Sequence, residues 1–416
     1  MKKNCDVLIL GGGVIGLACA RYLLRAGRGV TVLDRNTVGR GASHGNCGTI
    51  TPSLLPLPAP GTVARALQWL FKPDAPLRIK PAFDPALLRW LLAFASHCNE
   101  RDYRRVALVK GELLKASRVW LAELIHEERL DCEFVESGHL TVYRDPRAFE
   151  RGQGEVPLWR ELGLEVETLD GAQARAKEPA LNDSVVGAHF HPGDARLRPD
   201  RYVAELARVV RTASGEIHEG VDVRGFQQEN GRVTAVATSR GDYAAKEIVF
   251  ALGAWSPLLA RKLDLRLPIQ PGKGYSITYA AAAGAPRLPL VLKERSVCVT
   301  SWTSGVRLGS TMEFAGYDDS LNRVRLSALT RAATEYLRVP AAGRAEEEWC
   351  GWRPMTPDDL PILGRAPQLT NLTLACGHGM LGVSLSAATG RLIAEQLTGK
   401  SGSLDWTPYG LERFAR

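Results

Sequence analysis

A largely apolar run over residues 5–10 passes straight into Gly11, Gly13 and Gly16, and a second run, Val30–Leu33, ends on Asp34. Runs of that length bounded by glycine predict buried strands with a helix between them. The same figure returns twice. Residues 248–252 predict a strand that breaks at Gly253-Ala254-Trp255-Ser256, and Leu372–Cys376 predicts another that breaks at Gly377, followed by a helical stretch over 384–397. Between these lie different periods. Leu113, Ala116, Trp120 and Leu124 recur at i, i+3, i+7 and i+11 and predict a helix with one apolar stripe, while residues 140–143 alternate as a strand. Pro199-Asp200 opens a helix that runs through Val210, with strands expected at 216–219 and 221–225. Short strands follow at 275–279, 290–292, 297–302 and 306–309, with a helix near 319–336. The pattern predicts an α/β chain of two interleaved units: residues 1–55, 196–264 and 345–400 in one, 56–195 and 265–344 in the other.

The glycine spacing G-x-G-x-x-G carries chemistry. Gly11 permits a tight turn, Gly13 lets backbone approach a pyrophosphate, and Gly16 lets the helix pack on the strand, so Val14 and Ile15 open a helix whose N–H groups face the phosphates. Asp34, 18 residues past Gly16, stands where an acid meets a ribose hydroxyl, with Arg35 beside it. This fingerprint alone does not separate NAD from FAD. A second small-residue loop, Gly41, Ala42, Ser43, His44, Gly45, Asn46, Cys47 and Gly48, suits a flat ring threading inward. Three strand-to-glycine junctions then point to one extended cofactor.

Taken together these segments resemble the FAD-dependent amino acid oxidoreductases of the D-amino acid oxidase superfamily, nearly end to end. Pro271-Gly-Lys-Gly-Tyr-Ser-Ile-Thr278, Trp349-Cys-Gly-Trp-Arg-Pro-Met-Thr-Pro-Asp358 and Gly377-His-Gly-Met-Leu-Gly382 are similar to the bacterial D-amino acid dehydrogenase branch, as is a segment from Lys72 to Trp90 expected to be helical. Ala42-Ser-His-Gly45 is instead similar to sarcosine oxidases. The resemblance implies a Rossmann-like FAD-binding domain with an interleaved mixed-sheet substrate domain, and non-covalent FAD. It also implies oxidation of a small or cyclic D-amino acid, such as D-alanine, D-proline or D-hydroxyproline, by hydride transfer from Cα to the flavin, with a quinone or partner protein as electron acceptor.

Residue roles follow from the same resemblance. Arg353 is expected to hold the substrate carboxylate, because a planar guanidinium binds both oxygens, and Tyr275 to donate to it or close the pocket. His44 and His378 flank the expected ring and are candidates for tuning flavin or amine. Val223 matches the position whose backbone reads adenine. Gly253, Trp255, Gly351, Gly377, Gly379, Met380, Leu381 and Gly382 complete the expected cofactor contacts, the helix after Gly382 aiming its dipole at the flavin. Cys47 stands where the sarcosine oxidase pattern has an arginine, which favours a dehydrogenase over an oxidase.

Composition changes little. With 416 residues, 45% of them hydrophobic, the chain can bury a large core. A net charge of +8 admits anionic substrates or a membrane surface, but no basic aromatic-studded tract marks a nucleic-acid module. Eight cysteines without a C-x-x-C pair favour reduced thiols and a cytoplasmic protein, peripheral at most to the membrane. Residues 64–71 and 87–94 are apolar enough to touch a bilayer, although packing on the substrate domain is the simpler reading. His189-Phe190-His191 lacks further nearby ligands, so no metal is expected. Two alternatives stay open: an oxygen-using glycine or sarcosine-type oxidase, and a non-catalytic FAD relay subunit in a hetero-oligomer.

Overall fold

Two sheets face each other across a cavity in the computed structural model, which describes residues 3–69, 72, 74–81, 83–339, 344–400 and 402–415. The first is built on β1 (Lys3–Leu10), α1 (Val14–Arg25) and β2 (Val30–Leu33). β1 lies between β2 and the strand Gly241–Phe250, both parallel to it, and Leu372–Cys376 adds parallel to the far side of the latter. Side chains of β1 alternate between two cores. Val7 and Ile9 pack under α1 and the helices Pro199–Thr212 and Ser386–Thr398, while Leu8 and Leu10 join Val236, Phe250 and Leu374 on the other face. A strand buried on both faces reads as a nearly continuous apolar run, which is why it was visible in the sequence.

The second sheet has nine strands. From one end, Ala345–Met355 pairs with Gln270–Tyr279, then Gly305–Phe314, Val297–Trp302, Leu290–Leu292, His139–Tyr143 and Gly187–His191. Its apolar face buries Tyr275, Ile277, Leu308 and Val299 against the helix Arg323–Tyr336, which begins four residues later than the sequence suggests because Asn322 caps it.

Two segments differ from expectation. The segment from Lys72 to Trp90 is not one helix: Leu77–Ile79 pairs as a strand with Gly305–Phe314, and helix α3 (Pro85–His97) starts only where Asp84 caps it and Pro85 fits its first turn. α2 (Thr62–Trp69) precedes it, and Leu70 and Phe71 lie outside the described residues. Helix α4 (Glu100–Glu128) buries Leu113, Leu114, Ser117, Leu121 and Leu124, with Ala116 and Trp120 only half-buried. The stripe is wider because α4 serves two partners, Leu385 and Leu392 near its middle and the α1 core near its end. Helix α4 thus lies along Ser386–Thr398.

Buried histidines gather at one side of the second sheet. His139 and His191 are cross-strand partners, and burial pushes their pKa values down to about 4 and about 3, with His189 at about 4. Asp194, beside Ser53, is pushed up to about 7 by burial. His139 is neutral at physiological pH, so its 3.7 Å approach to Asp194 is not an ion pair. In the unfolded chain histidines take up protons below about pH 6.5, and in the folded one only below about pH 4. The unfolded chain thus binds more protons across that window, so stability falls as pH drops through it. Asp194 works the opposite way, gaining stability as pH falls from 7 towards 4, and Asp34, also raised by burial, acts in the same sense, but four buried histidines, His378 included, outnumber them. Thermal melting is expected at a clearly lower temperature at pH 5 than at pH 7, and equal melting temperatures would contradict the assignment.

Candidate active site

The cavity between the sheets encloses about 1210 Å³, more than the roughly 300–1,000 Å³ that holds one drug-sized ligand. One end is formed where the parallel strands stop together. Leu10 is level with Leu33 and Phe250, and Phe250 with Leu374, so the three glycine junctions open along one edge. Gly11, Gly13, Val14, Ile15, Asp34, Arg35, Val223, Gly253 and Trp255 line this end. The N-cap residue of α1, Gly13, has no side chain to cap it, and the Val14 N–H donates to Ser43 Oγ at 3.2 Å. A helix N-terminus facing a cavity is a seat for an anion.

The glycines separate by what demands them. A Cβ on Gly16 would lie 1.9 Å from the Gly11 carbonyl oxygen, and one on Gly11, at φ +106°, would lie 2.3 Å from the Ala251 carbonyl oxygen. Those two are required by the fold. Gly13 has φ −78°, and its Cβ would meet only Ser43 Oγ at 3.7 Å. No close protein contact demands glycine at 13, and the space over it opens on the cavity. Asp34 Oδ2 accepts from the Gly12 N–H (2.8 Å) and Oδ1 from the Asn36 N–H (2.8 Å), which holds the carboxylate at the cavity wall; burial raises its pKa. The Arg35 guanidinium stacks 4.0 Å over the Trp255 ring. An adenine dinucleotide fits these donors and this acid.

Farther in, the loop of residues 40–48 is fastened from the opposite sheet. Arg307, 1% exposed, donates through Nη1 to the carbonyls of His44 and Asn46, each at 2.8 Å, and through Nε to Thr278 Oγ1. The Trp349 indole lies against Gly45 and Gly351, where a Cβ would come within 2.1 and 2.2 Å of it. His378 is buried, bonded through Nε2 to Thr389 Oγ1 at 2.9 Å, and burial pushes its pKa down to about 3, so the ring is neutral at physiological pH.

Arg353 closes the inner end. Its guanidinium lies across Gly274, where a Cβ would fall 2.3 Å from Nη1; that contact explains the glycine between Lys273 and Tyr275. A bulge in the neighbouring strand puts Ser310 and Thr311 at φ +119° and +57° and turns the Thr311 carbonyl to accept from Nη1 at 2.7 Å. Met312 Sδ stands 3.9 Å away. Among the described residues no carboxylate comes within ion-pair distance of Arg353. Protein surrounds it, and what remains open faces the cavity; burial lowers its pKa, with Cys47 and Cys298 opposing. A half-buried cation that lacks a counter-ion in the protein is a site for an anionic ligand group.

Two of the expected catalytic residues lie elsewhere. Tyr275 belongs to the apolar core beneath the second sheet, and its hydroxyl donates to Glu313 Oε2, so it neither lines the cavity nor has a proton to offer. His44 is drawn away by Glu347, 2.7 Å from its Nε2, while its neighbours Ser43 and Gly45 do line the cavity. Gly16, Gly48 and Gly377 are packing positions: Cβ atoms there would meet Gly11 O, Leu197 O and Thr356 Cγ2. Gly41, Ala42, Ser43, Asn46, Gly351, His378, Gly379, Met380, Leu381 and Gly382 do line it. Sequence reasoning missed Arg307, Cys298 and Met312. Their position follows from cross-strand register, and no local motif marks it.

Comparison with known proteins places this geometry. Residues 6–396 match the DAO family of FAD-dependent oxidoreductases. A D-amino acid dehydrogenase of Granulibacter bethesdensis is 33% identical over 98% of this chain and 99% of its own length, and one of Methylobacterium nodulans is 34% identical over 95% and 96%. Among solved structures, glycine oxidase from Geobacillus kaustophilus superposes with a TM-score of 0.80 at 24% identity, covering 99% of each chain. L-proline dehydrogenase from P. horikoshii gives 0.78 at 19%, covering 100% of this chain and 99% of its own; at such identities the likeness concerns the fold. The chain belongs to the DAO family of FAD-dependent oxidoreductases, and it is a flavoprotein enzyme.

Proposed function

We propose that the protein oxidises a small or cyclic D-amino acid, such as D-alanine, D-proline or D-hydroxyproline, and passes the electrons to a quinone or a partner protein. The observation that carries this reading is Arg353, a half-buried guanidinium open to the cavity without a carboxylate of its own among the described residues. The names of the relatives at 33% and 34% identity support it. Bound FAD supplies the two-electron acceptor for the hydride leaving the substrate Cα. Gly13 and the start of α1 hold its pyrophosphate, Asp34 the ribose and Val223 the adenine, with the loops around Ser43 and Met380 enclosing the ring. Arg353 fixes the carboxylate and hence the direction of the Cα–H bond, which is the main demand of this chemistry.

The test is turnover with D-proline and D-alanine, followed by dye reduction and by peroxide release. Dye reduction coupled to oxo- or imino-acid formation, with little peroxide, is the expected result. Rapid peroxide from glycine or sarcosine would overturn it in favour of an oxidase.

The acceptor is reached at a membrane surface in this reading. Helix α2 lines the cavity with Thr62, Arg65 and Trp69 and buries no residue. Leu67 on α2, Phe83 ahead of α3, and Leu88 and Leu92 on α3 are 56%, 98%, 57% and 63% exposed. Leu88 and Leu92 share one helix face. No helix among the described residues is long and apolar enough to cross a membrane, so the contact is interfacial. The protein is expected to float with anionic lipid vesicles, and Leu88→Glu with Leu92→Glu to abolish flotation; equal flotation of that variant would remove the helix face from the account.

A further inference from the structure

We propose that Cys47 and Cys298 are a peroxide-sensitive thiol pair, whose oxidation to a disulfide staples the loop of residues 40–48 to the strand Val297–Trp302 and shuts the Arg353 end of the cavity. Both thiols line the cavity together with Arg353, and neither is part of a disulfide. Their nearness follows from register. Cys298 is the cross-strand partner of Gly309, and a Cβ on Gly309 would fall 2.5 Å from Cys47 Sγ. The Cys47 sulfur therefore sits over the strand next to that of Cys298, and adjacent strands are only about 4.8 Å apart. Glycine at 309 is what makes room for it.

The surroundings assign unequal roles. The thiol of Cys47 interacts with that of Cys298 and lies near Arg307 and Arg353, and these together lower its pKa; the pKa of Cys298 is raised by the same contact and by burial. Cys19, Cys132 and Cys376 are pushed up to about 12 by burial, and Cys5, Cys98 and Cys350 are raised too. Of the eight, only Cys47 moves towards the reactive thiolate.

The step needs hydrogen peroxide from solution. The Cys47 thiolate attacks one peroxide oxygen; an S–O bond forms, the O–O bond breaks, and the leaving hydroxide takes a proton to become water. Cys47 is oxidised by two electrons to the sulfenic acid and the peroxide is reduced. The Cys298 sulfur then attacks that of Cys47, forming S–S and breaking S–O, and its proton leaves with the oxygen as a second water. One peroxide thus turns two thiols into one disulfide and two waters.

Mass spectrometry of the holoenzyme after mild peroxide tests this. A loss of about 2 Da, with a crosslinked peptide joining Cys47 to Cys298, is expected, whereas gains of about 16 or 32 Da without that crosslink, as sulfenic or sulfinic acid, would overturn it. Free thiols in the denatured protein should fall from eight to six; eight remaining thiols, or a crosslink through other cysteines, would also overturn it. Cys298→Ser should leave Cys47 to oxidise to the sulfinic acid, with no reversal by dithiothreitol. Substrate oxidation in the parent should be lost in step with the crosslink and return with dithiothreitol. That last readout rests on the proposed function, while mass and thiol count do not, so the two readings fail separately.

Discussion

Replacing Arg353 by alanine leaves a folded, yellow protein whose reduction by substrate is slower by about two to four powers of ten. The magnitude comes from the alternative the substrate faces. A carboxylate left buried without its partner costs about 3–5 kcal/mol, and each factor of ten in rate corresponds to about 1.4 kcal/mol. The fold is spared because Arg353 holds no protein carboxylate among the described residues; it gives up the bond to Thr311 O, the contact with Met312 Sδ and its packing over Gly274. Arg353→Lys should recover little, since a point charge cannot make the two parallel bonds of a guanidinium. Rapid-mixing kinetics of flavin bleaching check both variants. Turnover unchanged in Arg353→Ala would remove the residue from the site.

Gly13→Ala and Gly16→Ala are expected to fail in different ways. At Gly16 the added carbon meets the Gly11 carbonyl at 1.9 Å. Backbone must move, α1 lifts from β1, and both stability and FAD are lost, at an overpacking cost of about 1–3 kcal/mol or more. At Gly13 the backbone angles suit alanine and the nearest protein atom is 3.7 Å away. The FAD-free protein should melt as the parent does, while FAD affinity falls at least about tenfold because the methyl occupies the pyrophosphate's space. Fluorescence titration of the FAD-free protein, paired with thermal melts, separates the two. Parental affinity in Gly13→Ala would contradict the assignment of that cradle.

How far the sequence could be read depended on whether a feature is local. β1, α1 and β2 form from consecutive residues, and their pattern, with Gly11, Gly16 and Asp34, was legible in full. Leu372–Cys376 was legible to the residue, because a buried strand between two breaks has no other reading. Arg353 came from a motif and lies at the cavity's inner end. Tyr275 came from a motif too, yet its hydroxyl is spent on Glu313, a residue 38 positions away that meets it only through a bulged strand pair. His44 is captured in the same manner by Glu347 from a strand some 300 residues on. Arg307 looks like any polar residue on an alternating strand, and nothing nearby says that it carries the loop of residues 40–48. Partners set by register between distant strands leave no mark in the local sequence.

The central claim, that Arg353 orients a D-amino acid for oxidation, is met most directly by an anaerobic comparison of enantiomers. Purified yellow protein is mixed with D-proline and with L-proline, and with both alanines, in the absence of oxygen, and flavin absorbance is followed. Bleaching by the D-enantiomers alone is the predicted result. Bleaching by the L-enantiomers, or by none of the four, would contradict the account.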